Sequence, residues 1–279
     1  MPDDLMVMQN DPMEIQYNES SNSLEITNHF HSSDEIIYVL EGKAEFKINN
    51  KLYTVGKGHI LFISNLEKHE LKVLEYPYKR YFILIKPDFM QLMANQPILA
   101  SIFKQRPEHF QHALHLDEAH DAIVMDVLKK MHTEYLTKEA FWESLLGTHL
   151  NHLFILLYRN YKEHFPLSTV NRSTRRILDI QRYVELHYTE ELSLDEVSKL
   201  FYSDMFYTSR LFKKITGFTF KDYIIRLRIA RAKELLYHTL DDITTVSLNS
   251  GFNNVNHFIR IFKKFEGITP YQFRKMQGK

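Results

Sequence analysis

The chain is 279 residues long, 44% apolar and 13% aromatic, with 35 basic and 35 acidic side chains and no cysteine. That composition supports two ordinary domains with cores of their own and excludes a disordered chain; the missing thiols exclude disulfides, thiolate metal sites and thiol nucleophiles and agree with a reducing compartment. No stretch approaches the roughly 20 apolar residues of a membrane span, and the opening MPDDLMVM lacks the order of a secretory signal, so no membrane partner and a cytoplasmic location are expected.

The balanced total hides an asymmetry. Cutting at Pro166-Leu167-Ser168-Thr169 leaves 16 Lys+Arg against 23 Asp+Glu in residues 1–167, or 16 − 23 = −7, and 19 − 12 = +7 in residues 168–279. The two halves should therefore face different partners, the basic one a polyanion such as DNA. Domains are expected over 1–167 and 168–279.

Residues 1–20 carry no pattern that predicts an element. From 25 to 86, EIIYVLEG, KAEFKINNKLYTVGKG, HILFIS and RYFILI alternate apolar and polar positions between turn residues, with Asn49-Asn50 at a hairpin turn. They predict an antiparallel sandwich or barrel over about 20–86. Inside this run stands His29-Phe30-His31-Ser32-Ser33-Asp34-Glu35, followed by Gly42. Two His at i and i+2 on a strand point to one side, so both would face the barrel interior, with Glu35 opening the next strand.

From 87 to 166 the pattern becomes helical. Ile123, Val127, Met131 and Tyr135 form one stripe, and Leu146, Leu150, Leu153 and Leu157 another within 139–165. Such stripes suit helices that cover the barrel and equally suit a homodimer seam.

The basic half repeats itself: RLFKKITGFT at 210–219 returns as RIFKKFEGIT at 260–269. In the first copy Thr208, Leu211, Phe212 and Ile215 fall on one helix face, with Phe206, Ser209, Arg210 and Lys213 opposite. Fifty residues on, Phe258, Ile261, Phe262 and Phe265 face inward, with Asn256, Ile259, Arg260 and Lys263 outward. Asp204 and Asn254 stand at N-cap positions, Gly217 and Gly267 where helices end. Upstream, the capping box Ser193-Leu194-Asp195-Glu196 opens a short helix whose counterpart is 242–249. A short helix, a tight turn and a second helix is the helix-turn-helix order, predicted at about 193–216 and 242–266. Between them 220–237, free of Gly and Pro, predicts one helix of about 27 Å that holds two recognition helices about one DNA turn, roughly 34 Å, apart.

Residues 172–276 resemble the DNA-binding domain of the AraC family of bacterial transcription regulators, through Gly251-Phe252, Phe258, Arg260, Phe262-Lys263-Lys264, Gly267, Thr269-Pro270 and Arg274; Tyr202-Ser203 departs from it where a Gly and an apolar residue are usual. The resemblance implies double-stranded promoter DNA as partner. Arg210 and Arg260 would read guanine. Ser209, Asn256 and His257 would meet other base edges, Phe206 and Val255 thymine methyls, and Lys213, Lys214, Lys263 and Lys264 phosphates, with Asn254 at the interface as well. The spacing of His29, His31, Glu35 and Gly42, with His69 further on, resembles the first cupin motif and the last ligand of the second, from which His59, Ser64 and Val73 depart. Those three His and Glu35 would serve either as an effector pocket, as metal-free barrels of this family do, or as a divalent Mn, Fe, Ni or Zn site, or as structural histidines. The fold expected is a cupin-like antiparallel β-barrel with appended helices, followed by an all-α domain of two helix-turn-helix units joined by a long helix. The function expected is a ligand-responsive regulator, not an enzyme, homodimeric, responding to a small molecule such as a sugar and meeting RNA polymerase if it activates. Alternatives are a metal-dependent cupin enzyme with a DNA-binding tail, and a DNA-binding protein whose barrel is only a dimerisation scaffold.

Overall fold

The computed structural model describes residues 11–86, 89, 97–105, 110–166 and 171–276. Its internal contacts divide the chain into two compact units, Met1–Asn171 and Arg172–Lys279. Residues 167–170, where the expected boundary falls, lie outside the described residues.

Among the described residues the first unit has seven antiparallel strands: β1 (Met13–Ser20), β2 (Glu25–His29), β3 (Asp34–Ile48), β4 (Lys51–Gly56), β5 (His59–Ile63), β6 (His69–Ile85) and β7 (Ala113–His115). The path runs β1-β6-β3-β5-β7, with β2 added to β6 and β4 to β3. Two long strands make the sheet fold over. Residues 34–39 of β3 pair with 80–85 of β6, while 43–48 pair with 69–75, and register shifts between the two stretches bend both strands. Alternation then buries both faces. Ile36, Tyr38, Ile60, Phe62, Ile83 and Ile85 pack toward helices, while Ile37, Val39, Leu61, Ile63, Phe82 and Leu84 fill the interior. Burial on both faces explains why 60–63 is an unbroken apolar run. The hairpin at Asn49-Asn50 is present, Asn49 taking the left-handed conformation at φ 52°.

Helices α1 (Pro97–Lys104), α2 (Glu118–Thr137) and α3 (Trp142–Asn160) cover one face of this sheet. Leu146, Leu150, Leu153 and Leu157 are each at most 1% exposed. The chain's own core therefore uses that stripe, and it is not available as a dimer seam. Two expectations need correction. Ile123 is 44% exposed, and the inward face of α2 is Val124, Val127, Leu128, Met131 and Tyr135. Steps of four residues advance about 400°, so a stripe drawn only at i+4 drifts about 40° per step and leaves the face at one end. The segment expected to be wholly helical also contains β7, which pairs with β5 and is too short for its period to register. Residues 1–10 lie outside the described residues, but β1, for which no element was expected, adds a strand along the full second half of β6.

The second unit is all helix: α4 (Arg172–His187), α5 (Leu194–Leu200), α6 (Met205–Thr216), α7 (Phe220–His238), α8 (Ile243–Asn249), α9 (Val255–Glu266) and α10 (Pro270–Met276). The connecting helix α7 is buried on several sides, through Tyr223, Ile224, Leu227, Ile229, Ala230, Ala232, Leu235 and Leu236, which is what a rod at the centre of two packed units requires. Around it, Phe212 meets Phe220 and Tyr223 edge-on at 5.6 and 5.5 Å, and Phe262 meets Phe273 at 5.6 Å.

Candidate nucleic-acid interface and effector site

The helix starts are set by side-chain caps at the expected residues. Ser193 accepts from the Glu196 backbone N–H at 3.2 Å and donates to its carboxylate at 2.7 Å. Asp204 caps α6 through Tyr207, Asp242 caps α8 through Thr245, and Asn254 caps α9 through His257, at 2.8, 2.7 and 2.9 Å. Gly217 and Gly267 close α6 and α9 at φ 80° and 78°.

Fixed in this way, α6 and α9 turn matching faces outward. Phe206, Ser209, Arg210, Lys213 and Lys214 are exposed on α6, with Phe206 at 70%. On α9, Asn256, His257, Arg260, Lys263 and Lys264 are exposed, Asn254 is exposed at the cap, and Val255 is partly buried. Inward, Thr208 and Phe212 on one helix and Phe258 and Phe262 on the other are fully buried. Ile259, expected outside, is partly buried.

Within the helical domain the two helix-turn-helix motifs are locked to the α7 rod by cations that neither motif's pattern discloses. The Arg226 guanidinium lies 4.5 Å from the Phe218 ring and 5.3 Å from Phe265, so it spans from the end of the first helix-turn-helix motif to α9. Arg228 donates to the backbone carbonyls of Tyr188 and Glu190 at 2.7 Å each and lies over Phe252. Lys233 pairs with Glu266 at 3.0 Å. Burial lowers the pKa of Arg226 and Arg228 from the ordinary arginine value, which is the desolvation that their aromatic and carbonyl partners offset. Sequence periodicity around α7 could not assign these roles, because the three side chains point to different neighbours.

In the first unit the polar cluster expected from the sequence is assembled. His29 ends β2, His69 opens β6 in register with it, and Glu35 stands on the interior face of β3. His31 lies just past β2, so the strand alternation invoked for the His pair holds only for its first member. Glu35 Oε2 is 3.3 Å from His31 Nε2 and 3.2 Å from His69 Nε2. The opposite ring nitrogens face backbone carbonyls: His31 Nδ1 is 2.9 Å from Ser33 O and His69 Nδ1 2.9 Å from Glu67 O. His29 stacks obliquely on His69, with ring centroids 4.1 Å apart. Glu35 and His69 are each 3% exposed, whereas His29 and His31 reach the surface in part. Burial disfavours the Glu35 carboxylate, but hydrogen bonds to His31 and His69 outweigh it and hold the group well below the usual carboxylate range. Burial likewise pushes His69 down, and the hydrogen bond to Glu35 more than reverses it, so its pKa is raised.

Two interior residues near this cluster were not singled out from the sequence. Tyr78 and Arg80 are 0% and 1% exposed, the guanidinium 5.3 Å from the Tyr78 ring centroid. Their signal was present in β6, where Tyr78, Arg80, Phe82 and Leu84 share one period-two face. Nearby Glu67, His112 and Tyr53 form a separate chain, with His112 3.1 Å from Glu67 and 2.9 Å from the Tyr53 hydroxyl, and bind the sheet edge to the segment after α1.

Comparison with known proteins decides between the readings. Residues 17–153 match the AraC-like ligand binding domain and residues 198–276 match the helix-turn-helix domain family. The chain belongs to the AraC family. This AraC-family chain is 25% identical over 254 residues to the uncharacterized HTH-type transcriptional regulator YdeC of Bacillus subtilis (strain 168), covering 90% of this chain and 86% of that protein. It is 22% identical over 247 residues to the HTH-type transcriptional activator RhaS of Enterobacter sp. (strain 638), covering 88% and 87%. Wild-type ToxT from Vibrio cholerae strain SCE256, solved with an unsaturated fatty acid bound, shares the fold at a TM-score of 0.62 and 17% identity, over 96% of this chain and 97% of that one. The AraC-family assignment makes it a ligand-responsive, DNA-binding transcription regulator and not an enzyme. Among the described residues no helix is long and apolar enough to cross a membrane.

The turn of the first AraC-type unit departs from the second in a measurable way. Tyr202 N–H bonds to Lys199 O and Ser203 N–H to Ser198 O, just as Gly251 N–H bonds to Leu248 O and Phe252 N–H to Ser247 O. Tyr202 thus occupies the place of Gly251, and it takes φ 51° where the glycine takes 90°. It is tolerated because its side chain is 90% exposed. At Gly251 a Cβ would lie 2.7 Å from Thr189 Cα and 3.0 Å from Thr189 O. Opposite responses are expected: Tyr202→Gly stabilises by a few tenths to about 1 kcal/mol, and Gly251→Ala destabilises by about 2 to 3 kcal/mol. Thermal melts of both variants check the signs.

Proposed function

We propose that this regulator is a cytoplasmic activator that lays α6 and α9 into successive major grooves of promoter DNA in answer to a small molecule bound by the barrel. The observation that carries the reading is the pair of exposed faces Arg210-Lys213-Lys214 and Arg260-Lys263-Lys264, set on one rod by Arg226 and Lys233. A helix face that is basic and hydrogen-bonding outward, with phenylalanine inward, supplies the groups a groove-reading helix uses. Activation, and with it contact to RNA polymerase, is supported by the activator RhaS among the relatives. A sugar or related metabolite is the effector class that the family resemblance implies, and the polar cluster of His29, His31, Glu35 and His69, two of them buried and two partly exposed, is the part of the barrel we assign to it. A homodimer is the expected assembly, and since the α3 leucines are buried within the chain it would use other surface, such as exposed Ile123, Leu136 and Leu145.

Binding isotherms across salt test the DNA reading. Each of Lys213→Ala, Lys214→Ala, Lys263→Ala and Lys264→Ala is expected to weaken selected and random duplexes alike and to lower the slope of log affinity against log salt by up to about 1. A salt-independent affinity would reject the interface.

A further inference from the structure

We propose that Tyr202 positions the chain on DNA: its ring lies against the sugar–phosphate strand that borders the groove entered by α6, and its hydroxyl donates to a phosphate of that strand. The inference rests on the reading of α6 as a groove helix and adds a contact that the repeat between the two motifs does not contain.

The two helix-turn-helix motifs differ where a repeat should match. Aligned by the hydrogen bonds of their turns, Leu200 and Tyr202 of the first stand at Asn249 and Gly251 of the second. Aligned by the N-caps Asp204 and Asn254, Phe206 and Tyr207 stand at Asn256 and His257. The first motif therefore exposes four large side chains, Leu200 at 53%, Tyr202 at 90%, Phe206 at 70% and Tyr207 at 40%. In their places the second has a buried glycine and three exposed hydrogen-bonding side chains. Among the described residues no hydrogen bond, ion pair or ring contact holds the Tyr202 side chain, so the fold gains nothing from it. Its backbone also carries a cost, since φ 51° disfavours any residue with a Cβ. A strained residue whose side chain lies almost wholly in solvent is kept for a role outside the fold.

What covers this patch follows from its place. Phe206 belongs both to the patch and to the outer stripe of α6 with Ser209, Arg210 and Lys213, so a partner seated on the patch would also cover the reading face. The cations Arg210, Lys213 and Lys214 on the same helix suit a polyanion. Tyr202 stands two residues before the Asp204 cap, at the end of α6 from which a recognition helix reads bases and beside which the duplex backbone runs. Duplex DNA offers a tyrosine two matching surfaces: the C–H face of a deoxyribose for the ring, and a phosphate oxygen for the hydroxyl. Such a contact carries no sequence information. It fixes the register in which Arg210 meets base edges.

The test compares the full chain with Tyr202→Gly and Tyr202→Phe, by anisotropy across salt on a duplex selected from a random pool and on a scrambled one, and by thermal melts without DNA. Tyr202→Gly is expected to raise the melting temperature by about 1 to 4 °C, because it relieves the left-handed residue. It should nonetheless weaken both duplexes by about 3- to 20-fold, a loss of binding without a loss of stability. Tyr202→Phe keeps the ring and the backbone and is expected to cost about 3- to 10-fold through the hydroxyl alone, with the melting temperature unchanged. Because no cation is removed, the slope of log affinity against log salt should stay that of the parent in both variants. Should the glycine variant melt lower than the parent, Tyr202→Phe alone decides. A loss of less than about threefold in either variant, or a salt slope that falls with the affinity, would overturn the proposal. A parent chain whose DNA affinity ignores salt would instead overturn the groove reading itself, so the two failures are distinguishable.

Discussion

Replacing Arg210 and Arg260 together by alanine is expected to cost about 2 to 6 kcal/mol of sequence-specific DNA binding, and each alone about 1 to 3 kcal/mol, with specificity relaxed at one base pair per arginine. Both side chains are exposed on the outer faces of α6 and α9, and neither belongs to a helix cap or to the buried side. Their loss should therefore leave the fold intact. The helices are held from behind by Phe212 and Phe262 and from the rod by Arg226 and Lys233, so the two sites should act independently and their costs should add. Fluorescence anisotropy on a duplex selected from a random pool, with a scrambled duplex beside it, measures the effect. Equal losses on the two duplexes would mean that the arginines touch phosphate and carry no sequence information.

Gly42→Ala is expected to be the most damaging single methyl group in the first unit. Gly42 sits at φ 80° in the bend of β3, and a Cβ there would lie 2.5 Å from the carbonyl oxygens of both Glu75 and Pro77 and 3.0 Å from Tyr78 Cα. All three obstacles are backbone, in the partner strand that bends alongside, so no side chain can move aside. Left-handed backbone disfavours any L side chain by about 1 to 2 kcal/mol, and the clash adds strain, for a total of about 3 to 5 kcal/mol. The bend separates the stretch of β3 that carries Glu35 from the stretch that pairs with His69, so the polar cluster should loosen with it. Denaturant titration of the purified variant gives the cost, and a loss below about 1 kcal/mol would show that the strands can part without penalty.

The sequence was most legible where physics is local. Caps at Ser193, Asp204, Asp242 and Asn254, and closing glycines at 217 and 267, fall on the structural boundaries because an N-cap oxygen or a left-handed residue is a requirement of the helix end itself. The repeat made the two groove-facing surfaces visible in the same way. Legibility failed where the answer depends on distant chain. Strand β7 exists because it completes β5, and three residues are too few to show a period; β1, which completes β6, did carry a signal, Met13, Ile15 and Tyr17 alternating with Glu14, Gln16 and Asn18. Helix α4 carries buried Gln181 and Glu185, whose burial makes sense only once Tyr223, more than thirty residues on, bonds to both. Arg226 and Arg228 read as exposed helix charges until their aromatic and carbonyl partners are in place.

In the candidate effector site the residue types and their order were readable and the geometry was not. The motif named His29, His31, Glu35 and His69, and all of them meet. It did not disclose that β2 ends at His29, nor that backbone carbonyls of Ser33 and Glu67 orient two of the rings. Those are tertiary facts, and they decide which ring nitrogens face Glu35.

The central claim is that two helices on one rod read one face of one duplex. Footprinting of the full chain on a selected duplex tests it most directly, together with duplexes in which 5 or 10 base pairs are inserted between the protected halves. The account predicts two protected segments about one helical turn apart, roughly 10 base pairs. Either insertion should cost at least tenfold in affinity, because the rod fixes both the spacing and the phase. A single short footprint, or an affinity indifferent to both insertions, would contradict it.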